Sequence, residues 1–328
     1  MSKSISCGAV VIGRNEGRRL IKCLESLVNK LGYIVYVDSG STDSSLSEAK
    51  NIGVECIVLD LGMPFTAARA RNVGANYLIQ KCPHIQVIQF IDGDCELQPD
   101  WVSIAYDFLE KAPHYAVVCG RRRERFPEDS IYNQLCDIEW NTPVGDALTC
   151  GGDALIRVDA FKQVEGYRED LVAGEEPEMC FRLREKSWKI RRLDTEMTLH
   201  DAAITRFTQW WKRAKRAGHA YAESYFLHGR SVEKFRAKPV MSVVFWAVLL
   251  PVLVIALSII DCRLIVMGLI YPAQIFRLFI KNKSFLNSKL SFYYAVSNVL
   301  GKFPQVLGMV QFIFNKVKGQ RGTLIEYK

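Results

Sequence analysis

Apolar and polar positions follow two different periods in the N-terminal part of the chain. Short continuous apolar runs, typical of buried strands, are separated by segments in which apolar side chains recur every three or four positions, as on one helix face. The runs predict strands at residues 9–12, 33–37, 54–59 and 85–91, and the segments predict helices at 20–27, 44–51 and 66–80. This order predicts an α/β fold, in which a mostly parallel sheet is covered by helices on both faces.

The last third of the chain follows a third pattern, that of long apolar stretches. Residues 240–260 contain 21 positions without a charge. At about 1.5 Å per residue, such a helix is long enough to cross a hydrocarbon core of about 30 Å. We therefore predict a transmembrane helix there, and expect residues 264–280 and 292–314 to be further spans or partly inserted interfacial helices, giving one to three spans. The alternative is a buried helical hairpin of a soluble domain.

The charge distribution supports membrane contact. Residues 1–229 hold 29 Lys and Arg against 32 Asp and Glu, whereas residues 230–328 hold 14 against 3. Lys234, Arg236 and Lys238 stand just before the apolar stretch, and basic flanks collect on the cytoplasmic side of membranes. The ten cysteines are scattered without a C-x-x-C pair, which favours a reducing compartment. We expect a cell (inner) membrane protein with residues 1–238 in the cytoplasm.

Two carboxylates mark the end of the fourth predicted strand. Asp92 and Asp94 flank Gly93 directly after the apolar run 85–91. Ligands of open α/β sheets bind beyond the carboxyl ends of the strands. Hard oxygen ligands suit Mg²⁺ or Mn²⁺, which bind through one or two carboxylates plus substrate phosphates. The pattern indicates a metal site, with an ordinary cap or turn as the alternative.

Two more polar segments are expected at the same edge. The loop DSGSTD at 38–43 offers hydroxyls and backbone N–H groups to a ribose or base, or else caps the following helix. The segment ARARNVG at 68–74 places Arg69 and Arg71 on a helix near this edge, where they pair with phosphate or anchor acidic loops.

Taken together, these motifs resemble those of the family 2 glycosyltransferases. The resemblance spans roughly residues 5–200 in the family's order and rests on GAVVIGRNE (8–16), VDSGSTD (37–43), RNVG (71–74), IDGD (91–94), GGDALIRVDAF (151–161), VEGYRED (164–170) and GEEPEMCFRLREKSWKI (174–190). It implies the GT-A fold, with a Rossmann-like mixed sheet. It also implies transfer of a sugar from a nucleotide-diphosphate sugar, with inversion at the anomeric carbon and with Mg²⁺ or Mn²⁺ as cofactor.

The resemblance also assigns the catalytic and metal-binding residues. It places Glu176 where the family's Glu-Asp-x-Asp-x-x-x-Arg pattern carries its basic Asp. Since Glu is one methylene longer than Asp, the preceding Glu175 remains an alternative base, and an acidic first turn of a helix is the structural alternative. The expected metal ligands are Asp92, Asp94 and His200, with Asp94 the more direct.

The donor-binding residues follow from the same motifs. The residues expected to contact the nucleotide-sugar are Asn15, Glu16, Asp38, Ser39, Arg71, Asp92, Gly152 and Asp153. Asp153 is expected to reach the donor sugar or the acceptor. Ser39 stands where the family often has a second Asp that touches the base, so the resemblance leaves the identity of the nucleotide open.

The segment after the predicted base departs from processive family members. Those members carry Gln-x-x-Arg-Trp, whereas residues 209–213 read QWWKR here, which favours transfer of a single sugar. Residues 204–227 mix aromatic and basic side chains, as helices at a membrane interface do. A helix packed beneath the catalytic domain is the alternative, and the adjoining apolar stretch argues against a nucleic-acid partner.

The sequence thus predicts three regions: a GT-A catalytic domain at 1–203, an amphipathic interfacial helix and linker at 204–238, and a membrane-associated region at 239–328. We expect a membrane-bound glycosyltransferase with a lipid-linked or glycan acceptor, serving polysaccharide or glycolipid assembly. One rival is a catalytically silent membrane scaffold. Another is a nucleotidyltransferase, which needs a basic, Gly-rich triphosphate loop that GRNEG at 13–17 matches poorly.

Overall fold

The computed structural model describes residues 6–28, 30–60 and 62–320, and the chain forms two compact units. The first, here called the sheet unit, runs through Phe126 and adds Cys136–Leu171 and Glu175–Ala202. The second, the helical unit, comprises Pro127–Leu135, Val172–Gly174 and the chain from Ala203 onward.

The sheet unit is built on a nine-stranded mixed sheet. Its strands are β1 (Cys7–Gly13), β2 (Tyr33–Asp38), β3 (Glu55–Val58), β4 (Val87–Asp92), β5 (Cys95–Leu97), β6 (Tyr115–Glu124), β7 (Gly145–Ala147), β8 (Ala154–Arg157) and β9 (Lys189–His200). Their order is β3-β2-β1-β4-β8-β6-β9-β5, with β7 paired to β9. The first four strands are mutually parallel, as the sequence pattern predicts.

Helices accompany these strands in the predicted alternation. They are α1 (Arg18–Val28), α2 (Ser45–Asn51), α3 (Ala67–Lys81), α4 (Trp101–Lys111), α5 (Ile131–Trp140), α6 (Val158–Gln163) and α7 (Glu175–Glu185). The apolar positions of α1 that recur at helical spacing, Leu20, Cys23, Leu24 and Leu27, are all buried. The α/β fold expected from the sequence is therefore confirmed.

The second half of the sheet is antiparallel in part, and this half positions the site. β8 runs antiparallel to both β4 and β6, whereas β9 runs parallel to β6. β5 pairs antiparallel with the end of β9, in a register that sets Cys95 opposite His200. The turn that follows β4 and the end of β9 are thereby brought together.

Gly74 lets helix α3 lie directly on the sheet. A Cβ at this position would lie 2.5 Å from Cγ1 of Val10 and 2.9 Å from Cγ2 of Val37. Both valines are fully buried, so they have little room to retreat.

We expect Gly74→Val to lower the thermal midpoint of the detergent-solubilised protein, because overpacking a filled core costs roughly 1–3 kcal/mol. Gly32→Val is the matched control, since a Cβ on this exposed glycine would meet nothing within 4 Å. Equal midpoints for the two variants would contradict the close helix–sheet contact.

The helical unit consists of α8 (Phe207–His228), α9 (Ala237–Ile260), α10 (Cys262–Asn282), α11 (Ser288–Leu300) and α12 (Lys302–Val317). α9 contains a π turn and α10 begins as a 3-10 helix. By length and composition α9 and α10 are candidate membrane spans, and 11% and 0% of their most apolar windows are buried. They cover the predicted segments 240–260 and 264–280.

The predicted segment 292–314 is not one span. It is divided at Gly301 into α11, of 13 residues, and the 16-residue α12. Even the longer helix extends only about 24 Å, less than a hydrocarbon core of about 30 Å. α12 instead packs on α8, where Gly218 and Gly308 bring the two backbones into direct contact. Met309 and Phe312 fill the small core beside this crossing.

The residues that partly match the processive motif lie at the start of α8. The Gln209 side chain accepts hydrogen bonds from the N–H groups of Thr205 and Arg206, both at 3.0 Å, and donates to the Ala203 carbonyl. Trp210 is buried against Tyr132 within the same unit. In this chain both side chains therefore cap and anchor a helix.

Candidate functional site

Asp92 and Asp94 lie on the tight turn between β4 and β5, as the sequence pattern predicts. Gly93 between them donates its N–H to the Ile12 carbonyl at 2.8 Å. A Cβ on Gly93 would approach that oxygen to 3.1 Å, so a larger residue would press the turn away from β1. The Asp92 side chain is 28% exposed and that of Asp94 only 7%. The two carboxylates therefore differ in their contact with solvent.

His200 stands against Asp94, and the pair has the properties of a cation site. Its Nε2 lies 3.4 Å from Oδ1 of Asp94, and its ring meets Trp140 edge-on at 4.6 Å. Burial and the nearby charge of Arg122 lower the pKa of His200 to about 4, so the imidazole is neutral at pH 7. Its Nδ1 is buried and has no hydrogen-bond partner in the part of the chain that the structure describes. A neutral imidazole beside a carboxylate fits a divalent cation.

The depressed pKa of His200 has a consequence for stability. In the unfolded chain His200 takes up a proton near pH 6.5, whereas in the folded protein it stays neutral until about pH 4. Stability is therefore greatest above pH 6.5 and falls as the pH is lowered towards 4, by on the order of 3 kcal/mol. We expect the thermal midpoint of the metal-free protein to fall less over this range in His200→Gln than in the wild type. The exposed histidine variant His84→Gln should retain the wild-type slope.

Arg71 joins the aspartate turn to helix α7. Its guanidinium contacts Asp92 and Glu175, each at 2.7 Å, and lies over the ring of Tyr167. Burial lowers the pKa of Arg71, but Asp92 and Glu175 outweigh burial and raise it above its ordinary value. Of the two roles predicted for Arg71, the structure shows the pairing with acidic side chains, those of Asp92 and Glu175. Arg69 contacts backbone carbonyls of the preceding loop, including that of Met63.

The neighbours of Arg71 in its motif also have identifiable tasks. Asn72 donates to the carbonyl of Tyr167 and to the side chain of Glu169, and accepts the N–H of Tyr167. It thereby holds the loop before α7. Within the motif RNVG, Arg71 contacts two carboxylates, Asn72 anchors the loop before α7, and Gly74 lets α3 lie close to the sheet.

Arg122 is a member of the site that the sequence does not reveal. It lies 2.9 Å from Asp153 and 3.9 Å from Asp92, and its guanidinium lies over the ring of Trp140. It belongs to the run RRRE at 121–124, whose basic residues give no sign of which one points inward. A Cβ on Gly152 would lie 3.3 Å from Arg122 and only 2.9 Å from Asp92, so the close packing at this position requires glycine.

Asp153 is placed behind Asp92 rather than facing solvent. It is fully buried, accepts the backbone N–H of Asp92 at 3.0 Å, and accepts the hydroxyl of Thr198 at 2.8 Å. The sequence suggests that Asp153 contacts the donor sugar or the acceptor. In the structure, Asp153 instead contacts the backbone of Asp92 and pairs with Arg122.

Asn15 connects two loops at the carboxyl edge. Its side-chain oxygen accepts the N–H of Thr42 at 2.7 Å, and its own N–H donates to the hydroxyl of Ser41. Asn15 adopts a left-handed backbone conformation, with φ of 57°, which Asn tolerates better than most residues. The exposed loop of the GRNEG segment is thereby tied to the DSGSTD loop. Glu16 lies beside it and pairs with Arg19 at 2.8 Å.

Asp38 organises the DSGSTD loop from within. It is 1% exposed, and its Oδ2 accepts the N–H groups of Gly40 and Ser41 at 3.0 and 2.9 Å. Its Oδ1 accepts the hydroxyl of Tyr36. Ser39 is half-buried and donates its N–H to the Gly13 carbonyl, so its side chain is more accessible than the carboxylate of Asp38.

The two candidate bases stand at the start of α7 in different surroundings. Glu175 is bound to Arg71. The Oε1 of Glu176 accepts the N–H of Cys150 at 2.6 Å and the thiol of Cys180 at 3.1 Å. The expected acidic first turn is present, and these contacts give its two leading members separate environments.

Glu178 completes this turn. It is fully buried and forms a two-oxygen contact with Arg182, which also donates to the Gly166 carbonyl at 2.7 Å. The predicted family arginine therefore locks α7 against the loop that Asn72 holds.

Comparisons with known proteins agree with this architecture. Residues 9–164 match the model for glycosyl transferase family 2. Comparison with curated proteins gave no significant match. Among solved structures, the mannosyltransferase PcManGT from Pyrobaculum calidifontis, in complex with GDP-Man and Mn²⁺, is 14% identical. The match covers 96% of this chain and 89% of that chain, with a TM-score of 0.57.

Two further structures are more distant. TarS 1-349 of S. aureus is 14% identical, with 96% of this chain and 92% of that chain covered and a TM-score of 0.48. Glucosyl-3-phosphoglycerate synthase from Mycobacterium tuberculosis, in complex with Mn²⁺ and UDP-Glc, is 13% identical, with coverages of 66% and 78% and a TM-score of 0.48. The family model and the likeness to the mannosyltransferase confirm the GT-A type of fold expected from the sequence.

Proposed function

We propose that this chain, whose residues 9–164 match the model for glycosyl transferase family 2, is an inverting, metal-dependent glycosyltransferase at a membrane. Its donor is a nucleotide-diphosphate sugar, and its acceptor is a lipid-linked or glycan hydroxyl. The observation that carries the proposal is the arrangement around the turn of Asp92 and Asp94. Asp94 contacts His200, and Arg71 connects Asp92 to the acidic start of α7.

Asp94 and His200 are the residues we assign to the metal, with Asp92 beside them. Ligand atoms of Asp94, His200 and Cys95 lie within 4.8 Å of one another, whereas Asp92 lies in a second such cluster, with Cys95 and Asp153. When bound, Mg²⁺ or Mn²⁺ supplies positive charge against the negative charge that builds on the departing diphosphate. Arg71 holds the side chain of Asp92, and Asp153 holds its backbone N–H.

Glu176 is the residue we assign as general base. The acceptor hydroxyl must lose a proton as its oxygen attacks the anomeric carbon from the face opposite the leaving diphosphate. Glu175 is engaged by Arg71, which makes it an anchor of α7. Glu176 is instead oriented by two donors on a single oxygen, Oε1, an arrangement that fixes the carboxylate as a catalytic group must be fixed.

The donor nucleotide is assigned to the loops that Asn15 and Asp38 organise. Both loops follow parallel strands at their carboxyl ends, where nucleotides bind in sheets of this kind. The half-buried Ser39 offers a hydroxyl there. The mannosyltransferase of similar fold holds GDP-Man and Mn²⁺, which supports a nucleotide-sugar and a divalent metal here.

The membrane setting is supported by the candidate spans α9 and α10 and by the positive charge of residues 230–328. A catalytic unit tethered at the bilayer gains effective concentration over lipid-linked acceptors. We assign an orientation with the sheet unit in the cytoplasm, and single-sugar transfer in polysaccharide or glycolipid assembly. The use of Gln209 as a helix cap accords with the non-processive assignment.

The test is a thermal-shift screen of the full-length protein with UDP- and GDP-sugars, each with and without Mn²⁺. We expect the midpoint to rise only when metal and the correct donor are both present, because ligands that bind the folded state stabilise it by about 2.7 kcal/mol at 100 times their Kd. Hydrolysis of the stabilising donor should then be metal-dependent. A scaffold would show neither response, and a nucleotidyltransferase would require a triphosphate or pyrophosphate.

A further inference from the structure

A second cluster of ligand atoms lies in the sheet unit, apart from the Asp94 and His200 pair. The thiols of Cys150 and Cys180 lie 3.7 Å apart, and Cys180 Sγ lies 3.1 Å from Oε1 of Glu176. One ligand atom from each of the three residues lies within 4.8 Å of the other two. Cys180 and Glu176 are one turn apart on α7, and Cys150 comes from the segment before β8.

The spacing of these atoms suits a tetrahedral thiolate site. With metal–sulfur bonds of about 2.3 Å, two thiolates on a tetrahedral Zn²⁺ lie about 3.8 Å apart. The observed separation of 3.7 Å meets this requirement with little movement. The carboxylate of Glu176 supplies a third ligand from the same side, and a water molecule suffices as the fourth.

The ligand types differ in chemical softness from those of the proposed catalytic metal site. Asp94 and His200 offer a carboxylate oxygen and an imidazole nitrogen, a pair that does not by itself decide between Mn²⁺ and Mg²⁺. Two thiolates instead select Zn²⁺ and similar thiophilic ions. Cys150 is partly exposed, whereas Cys180 and Glu176 are buried. An ion therefore has an approach through Cys150 to a site that is otherwise enclosed.

We propose that Cys150, Cys180 and Glu176 form a binding site for one thiophilic divalent cation, such as Zn²⁺, and that occupancy inhibits transfer. On binding, the two thiols release their protons to solvent, two sulfur–metal bonds and one oxygen–metal bond form, and no redox change occurs. The inhibitory part rests on the proposed function, because it follows from engaging the carboxylate assigned as general base. The binding part stands on geometry alone.

The binding test uses Cd²⁺ as a spectroscopic probe on the full-length, reduced protein. We expect the ultraviolet thiolate-to-cadmium charge-transfer band to saturate at one equivalent, and Zn²⁺ to displace Cd²⁺. Cys150→Ser and Cys180→Ser should each weaken Cd²⁺ binding at least about ten-fold, because loss of even an outer partner of a metal ligand costs about 10- to 100-fold in affinity. Cys262→Ser, which alters an exposed cysteine of the helical unit, should leave the titration unchanged.

A measurement on the unaltered protein covers the case in which a variant does not fold. Zn²⁺ should protect Cys150 from iodoacetamide, as measured by peptide mass spectrometry, while Cys262 stays reactive. Loss of the cadmium band in Cys95→Ser but not in Cys150→Ser would place the ion beside Asp94 and overturn the proposal, as would alkylation of Cys150 at an unchanged rate.

The inhibitory part is tested by transfer assays in excess Mn²⁺. Zn²⁺ should lower the wild-type rate at least about ten-fold and a chelator should restore it, while Cys150→Ser should keep most of its own zinc-free rate. Zinc-insensitive transfer in a protein that binds Cd²⁺ through both thiols would refute inhibition but not binding. Absence of transfer under all conditions, with the cadmium band intact, would instead refute the proposed function.

Discussion

Asp94→Ala is expected to lower glycosyl transfer by more than about 100-fold while leaving insertion into the membrane unchanged. Asp94 is the carboxylate in contact with His200, and its removal leaves the imidazole without its oxygen partner. The measurement is the initial rate with the donor identified by thermal shift, taken across a range of Mn²⁺ concentrations. Asp107→Ala, which removes an exposed aspartate from α4, is the matched control and should retain the wild-type rate.

The companion variant His200→Ala tests the second residue assigned to the metal. If His200 is a ligand, its loss should raise the Mn²⁺ concentration needed for half-maximal rate by about 10- to 100-fold. Undiminished turnover in Asp94→Ala, or an unchanged Mn²⁺ dependence in His200→Ala, would remove these residues from the assigned metal site.

The aspartate turn was predictable because its signals are local. The buried run before Asp92 identifies a strand, and carboxylates directly after a strand lie at the sheet's carboxyl edge whatever the strand order. The position of Arg122 was not predictable in the same way. It depends on the irregular pairing of β6 with β9, whose register shifts are set by residues far apart in sequence. Only this pairing decides that Arg122, among its basic neighbours, meets Asp153.

The same contrast between local and distant information applies to the remaining motifs. The apolar length of 292–314 predicts a span or a partly inserted interfacial helix, whereas the structure divides this segment at Gly301 and packs α12 on α8, a contact between segments distant in sequence. Likewise, QWWKR matches the processive motif only in part, and its sequence does not disclose that the Gln209 side chain caps a helix. The surroundings of Glu175 and Glu176 also differ through their partners, Arg71 and the N–H of Cys150, which the sequence pattern does not disclose.

Glu176→Gln is expected to lower the transfer rate by about 10²- to 10⁴-fold, the contribution of a general base, with little change in donor binding. The substitution keeps the size and hydrogen-bonding oxygen of the side chain, so the N–H of Cys150 retains its acceptor. The measurements are kcat for transfer and the Kd of the donor by thermal shift or calorimetry. Glu185→Gln, at the exposed end of the same helix, is the matched control.

The corresponding variant Glu175→Gln decides between neighbouring carboxylates. It removes one charge from the pair of 2.7 Å contacts that Arg71 makes. We therefore expect it to lower the thermal midpoint and weaken donor binding through the displaced Asp92, while kcat falls less than in Glu176→Gln. The opposite result, a Glu175→Gln protein that binds donor normally yet transfers no sugar beside an active Glu176→Gln protein, would move the base by one residue. It would also require Arg71 to release Glu175 during the reaction, because a carboxylate held by that ion pair is not available to the acceptor hydroxyl.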